Sequence, residues 1–218
     1  MIDFLHKIEF GLSPTALLLL LTYHLYLFRK IKNSPLETAI GAADQVRALW
    51  VDDVMKRQRD ILAVQTLRNW TMAATFLAST AILITLAVFN FILTTDRQGD
   101  LATLFNQLGN QTDVWWITKL TLVGINFFFA FFNFTLAIRY YNQAGFALTV
   151  PMQEDHSVIS IQSANSLLYR GARHYTMGMR AFYLAIPLAL WLLGPIWFFI
   201  GSVVLLLVLK HIDKRPGC

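Results

Sequence analysis

The chain has one cysteine in 218 residues, and it is the last, Cys218. An intramolecular disulfide is therefore impossible and no cysteine-based metal site can form. The terminal thiol reads as an incidental tail residue. Charge is equally scarce. Only 14% of the residues are Asp, Glu, Lys or Arg, against about 25% in an average soluble domain. Four stretches hold none of these: Phe10–Phe28, Asn69–Thr95, Leu120–Ile138 and Ala181–Leu209. Catalytic patterns are missing as well. There is no G-x-S-x-G, P-loop, H-x-x-E-H or C-x-x-C-H, and all 13 acids lie outside the apolar runs. No reaction is implied, and the expectation is a non-enzyme.

What is present is hydrophobic, at 56% of the chain. Each uncharged run has the roughly 17–25 residues, or a few more, that a helix needs to cross a hydrocarbon core. The first run has no basic segment before it and no A-x-A-like cleavage site after it, so it reads as a retained span. The expected fold class is an all-α integral membrane protein in one domain, 1–218. Its four transmembrane helices fall at about 10–28, 69–95, 117–138 and 181–209. Two of them are expected to extend into the cytoplasm as long amphipathic helices, over about 35–68 and 140–180.

The net charge of +5 does not call for nucleic acid, because the basic residues are grouped. Twelve of the 18 Lys and Arg lie in two loops, 29–68 and 139–180, while the loop 96–116 carries Asp96, Asp100 and Asp113 with Arg97 alone. Basic loops stay on the cytoplasmic side. The expected topology in a cell inner (plasma) membrane therefore has both termini outside and the two basic loops inside. Lys210, Lys214 and Arg215 disagree, since they would face out. A hairpin at Gly194–Pro195 would return the tail, but its arms would have only about 13 residues each, too few for full spans. One tilted or kinked helix over 181–209 is the favoured reading. Arg68 with Trp70 marks the inner interface, and Trp115 with Trp116 the outer one.

The segment from Ala43 to Asn69 gathers Val46, Trp50, Val51, Val54, Met55, Ile61 and Leu62 on one helical side. Asp52 with Lys56 and Asp53 with Arg57 form acid-before-base pairs at i,i+4 on the other. No proline intervenes before Thr95, so this helix is expected to run straight into the second span. Arg47 intrudes on the apolar side and needs a partner or a lipid headgroup.

Two rows repeat every seven residues. Ser157, Ala164, Gly171, Gly178 and Ala185 are all small, which permits close approach of helix backbones. Thr71, Thr75, Ser79, Ala74 and Ala78 of the second span are the expected complement. In span three, Lys119, Asn126, Asn133 and Tyr140 form a polar row. Amides in hydrocarbon need partners, so this row should face other helices, as glue or as a polar seam for a ligand. Arg68, Arg139 and Arg180 open or close apolar runs beside aromatics and could converge on an anion or lipid head. His24 and His174 are the only histidines placed to suggest haem, and a hydrogen-bonded role for each outweighs ligation. No cofactor is expected. Asn110–Thr112 matches a glycosylation acceptor, a pattern that often arises by chance.

The run "ILAVQTLRNWTMAATFLASTAILI", preceded by "WVDDVMKRQRD", resembles a bacterial and plant family catalogued as domain of unknown function five-ninety-nine. "IRYYNQAGFAL" and "YTMGMRAFYLAIPLALWLLGP" are similar to that family's later blocks. The resemblance covers about Arg47 to Pro195. It implies a four-span membrane protein with long cytoplasmic helices and supplies no reaction, substrate or cofactor. Its motif positions (Trp50, Gln65, Arg68, Asn69, Arg139, Tyr141, Arg180, Tyr183, Pro187) cluster near the cytoplasmic edge. Three functional expectations follow. The first is a non-enzymatic protein of the lipid bilayer that forms a homo-oligomer or joins a larger membrane complex. The second is a channel or transporter lined by Asn126 and Asn133. The third is a haem-binding redox subunit.

Overall fold

The computed structural model describes residues 2–94, 113–150 and 160–214, with side chains from residue 11 onward and, in the second stretch, from residue 115. The described chain is all-α. Helix α1 spans Ile2–Asn33, and a short 3-10 turn, Pro35–Glu37, leads into α2, Ala39–Lys56. Then come α3, Asp60–Leu93; α4, Asp113–Thr149; α5, Ile161–Trp191; and α6, Pro195–Ile212. Four of them hold segments long and apolar enough to cross a membrane: Gly11–Asn33, Asp60–Leu93, Trp115–Thr149 and Pro195–Ile212.

The helix expected to run from the 35–68 segment straight into the second span is broken at Arg57–Arg59. Gln58 adopts φ 50°, and the Arg59 N–H reaches the Val54 carbonyl at 3.0 Å. That is the six-to-one bond of a left-handed helix stop, a position that glycine usually fills. Its occupation by glutamine hid the break from the sequence. The i,i+4 pairs stand on α2 as expected, with Lys56 Nζ 2.8 Å from Asp52 and Arg57 Nε 2.7 Å from Asp53. At the other end Thr38 caps α2, its hydroxyl oxygen accepting from the Gly41 N–H at 3.1 Å.

Below Trp70 the helices form a core of their own. Val51, Val54 and Met55 of α2 pack with Leu67 of α3, Tyr141 of α4 and Leu168 of α5. Trp50, Trp70 and Tyr141 meet in sequence across it as tilted rings, with centroids 6.1 and 5.7 Å apart. Val46 of the expected apolar side does not join; it is exposed, as are Ile61 and Leu62.

The largest correction concerns 181–209, which is a hairpin and not one kinked helix. The last turn of α5 tightens through i→i−3 bonds from Leu192, Leu193 and Gly194, and Gly194 sits at φ 142°. A Cβ disfavours that φ. Pro195, whose fixed φ suits a first helical residue, then starts α6. Trp191 stacks on Phe198 across the turn at 4.6 Å. The arms are longer than the uncharged run suggests, although of the two only α6 is among the candidate spans. Counting uncharged residues ended the first arm at Arg180, but Arg180 is buried against Asp213, so α5 continues through it to Ile161.

The tail therefore returns to α2. The Ala39 N–H donates to the Asp213 carbonyl at 3.0 Å, and Thr38 and Lys214 form an antiparallel bridge. Helix α1 starts at one end of the bundle, and α6 finishes at the other, against the start of α2. Lys210 and Lys214 join the basic loops they seemed to contradict.

Cys218 should accordingly be modified by an impermeant thiol reagent from the same side as a cysteine introduced by Gln58→Cys in a Cys218→Ser background. Labelling from opposite sides would sink the hairpin.

The small row mates with α4 rather than with α3. A Cβ on Gly171 would lie 2.7 Å from the Tyr141 ring, and one on Gly178 would lie 2.8 Å from Phe134. Ala164 and Ala185 are buried on the same side, and Ser157 lies outside the described residues. Of the expected complement, Ala74 and Ala78 are buried, whereas Thr71, Thr75 and Ser79 line a groove between α3 and α4. Buried rings cannot swing aside cheaply, so even Gly178→Ala should cost about 1–3 kcal/mol and lower the midpoint of thermal unfolding. Gly145→Ala, whose Cβ would sit an ordinary 3.7 Å from Leu67, should be neutral. Equal midpoints for the two variants would reject the close approach.

Candidate functional site

The polar row of α4 faces α5 along its length. Asn126 Nδ2 donates to the Ala181 carbonyl at 2.8 Å. Asn133 Nδ2 donates to the Phe129 carbonyl at 2.9 Å, and its Oδ1 lies 3.0 Å from His174 Nδ1. Tyr140 stacks on the His174 ring at 5.6 Å and 10°. Lys119, 1% exposed, sets its ammonium 5.3 Å from the Trp191 ring. All four side chains are thus occupied at the α4–α5 interface, which is the arrangement expected of interhelical glue.

The three arginines have different surroundings. Arg68 is exposed and lines the α3–α4 groove with Thr71, Thr75 and Asn142. Arg139 is exposed on α4. Arg180 is 8% exposed, and its Nη2 lies 2.6 Å from Asp213 Oδ1. Tyr23 of α1 donates its hydroxyl to the other carboxylate oxygen, Oδ2, at 2.7 Å. One acid at the end of α6 therefore ties α1 and α5 together.

Arg180 also lines a cavity of about 610 Å³ between α1, α2 and α5. Its charged lining is Lys32 from α1, Asp44 and Arg47 from α2, and Arg173 and Arg180 from α5. Phe28, Ile31 and Met177 supply apolar wall. Arg47 pairs with Asp44, the partner its place in α2 demanded. Two buried donors remain open: Arg47 Nε and Arg180 Nη1 have no hydrogen-bond partner. An unmet buried donor on a charged group costs more than a neutral one, and both side chains border the same cavity. Four cations against one carboxylate make this space suited to an anion, since guanidinium forks match carboxylate and phosphate oxygens.

His24 lies in this neighbourhood on α1. Its Nδ1 is 2.7 Å from the Leu20 carbonyl, which requires the proton on Nδ1. Nε2 is therefore an acceptor, buried and without a partner. His174 faces α4 instead, so the two histidines do not share a setting. No group of three or more His, Cys, Asp or Glu positioned for a metal occurs among the described residues.

Reading the sequence missed Tyr23, Lys32, Arg173 and Asp213 as site residues. One signal was available for the last. Arg180 and Lys210 bracket the uncharged run whose middle is Gly194–Pro195, so folding the run there brings Arg180 alongside the segment that holds Asp213.

A family profile described as "protein of unknown function, DUF599" matches residues 12–216. No curated protein and no solved structure matches the chain.

Removing one partner of a buried ion pair strands the other, typically at about 3–5 kcal/mol, whereas an apolar replacement of both is often neutral. Asp213→Asn should therefore lower the unfolding midpoint sharply. Arg180→Met combined with Asp213→Leu should recover much of the loss. A single variant as stable as the wild type would show that the pair is not held away from water.

Proposed function

Since the chain belongs to the DUF599 family of proteins of unknown function, its own side chains must carry the functional reading, and we propose that it is a non-enzymatic membrane protein that recognises an anionic group in the cavity between α1, α2 and α5. The carrying observation is the pair of buried, unmet donors, Arg47 Nε and Arg180 Nη1, on two guanidiniums that border one space. The α2 end is the cytoplasmic end in this reading, of an inner membrane, because the basic segments and the returned tail gather there. The engaged α4 row favours binding over conduction, as its four side chains are held by α5.

A second reading, membership of a larger assembly, is favoured by α2. This helix is not among the candidate spans, yet Val46 and Leu49 are 66% and 72% exposed on it. Apolar surface of this kind belongs against lipid or another subunit.

The anion reading is tested with protein purified in an uncharged detergent. At least one of two probes, inorganic phosphate and a short-chain phosphatidylglycerol, should raise the unfolding midpoint, and Arg47→Gln should remove that rise. If neither probe stabilises the wild type, the reading fails.

A further inference from the structure

We infer, resting on the anion reading, that the group recognised is the phosphate of a membrane phospholipid, held at the cavity rim with its glycerol end directed inward. Three observations carry this. First, charge compensation follows position in the cavity. Arg180 has Asp213 and Arg47 has Asp44, whereas Lys32 and Arg173, both exposed, have no acidic partner among the described residues. The uncompensated positive charge is therefore at the mouth, where a mono- or dianionic phosphate would meet it without full loss of hydration.

Second, the mouth is at headgroup level. Lys32 is the penultimate residue of both α1 and its candidate span, Gly11–Asn33. Arg180 stands seven residues beyond Arg173 on α5, about 10 Å deeper at 1.5 Å per residue. Third, the walls change character as a lipid does. One turn below Lys32 and Arg173 come Phe28 and Met177, with Ile31 beside them, and Phe28 is partly open to the surroundings. The open donors on Arg47 and Arg180 suit ester carbonyl oxygens, which lie one layer below the phosphate in a glycerolipid. A free phosphate ion reaches one end of this cavity and leaves the other unsatisfied. Basic pockets between spans on the cytoplasmic side are known to take lipid heads in this manner.

The full chain in nanodiscs distinguishes the sources. Discs of phosphatidylcholine containing a minority of phosphatidylglycerol should raise the unfolding midpoint above that in phosphatidylcholine alone. Native mass spectrometry should retain the anionic lipid on the protein. Lys32→Gln with Arg173→Gln should lose both signals, while Arg139→Gln, on the exposed side of α4, should keep them. Lys32→Arg with Arg173→Lys preserves charge and should keep the shift, which separates loss of binding from loss of folding. Millimolar inorganic phosphate added to phosphatidylcholine discs should do nothing. A phosphate shift as large as the phosphatidylglycerol shift overturns the phospholipid while leaving the anion reading standing. A phosphatidylglycerol shift that survives the double glutamine variant overturns the cavity as its site. No shift with either probe overturns both.

Discussion

The pairing of Arg180 with Asp213 is the constraint on which the arrangement of α1, α5 and α6 depends. In a straight helix those two residues, 33 positions apart, would be separated by about 50 Å. Each would then have to find its own route to water or leave a charge stranded. Bringing them to 2.6 Å requires the chain to reverse between them, and Gly194 followed by Pro195 supplies the one place where it can. The pair need not add net stability, because removing two charges from water offsets much of their attraction. Its effect is to exclude alternatives. With Tyr23 donating to the second carboxylate oxygen, α1 is fixed to the same acid, and the cavity beside it acquires three walls of defined position.

A different logic holds α4 against α5. There the polar and small rows mesh along one interface, with Phe134 and Tyr141 filling the space that Gly178 and Gly171 leave open. Helix association inside a bilayer gains nothing from expelling lipid in favour of equally apolar side chains. Contact area and interhelical hydrogen bonds must supply the attraction instead. Bulky rings over glycine provide the first, and Asn126 on the Ala181 carbonyl provides the second.

The four apolar runs, the helical segments beyond them and the seven-residue rows were all legible in the sequence, because each is a periodic or compositional signal. Partner choice was not. Glycines at 171 and 178 announce that something comes close, but α3 and α4 both offer candidate surfaces, and only tertiary contact selects Tyr141 and Phe134. The break at Gln58 was invisible since its left-handed residue is not glycine. Of the expected site, Arg180 alone lies in the cavity, and its company comes from Lys32, Arg47 and Arg173. Arg68 and Arg139 share its proximity to aromatics in the sequence but open onto other faces. Sequence distance from the ends of apolar runs reports depth, not azimuth around the bundle.

The hairpin also changes what the basic residues mean. With 181–209 as one span, Lys210 and Lys214 were exceptions to a charge asymmetry that otherwise held throughout the chain. With the reversal at Gly194, Lys214 lies beside Thr38 and Lys210 one turn before it on α6, at the end that already carries both basic loops. A geometric fact, Asp213 against Arg180 and Ala39, thus removes a conflict that arose independently from charge counting. Local packing and the distribution of charge agree on the course of α6. That agreement gives the α2 end a single character: it gathers most of the cations, the two basic segments and the mouth of the cavity. Within the cavity the acids stand beside the more buried cations, Asp213 by Arg180 and Asp44 by Arg47, while the exposed Lys32 and Arg173 have no acidic partner among the described residues.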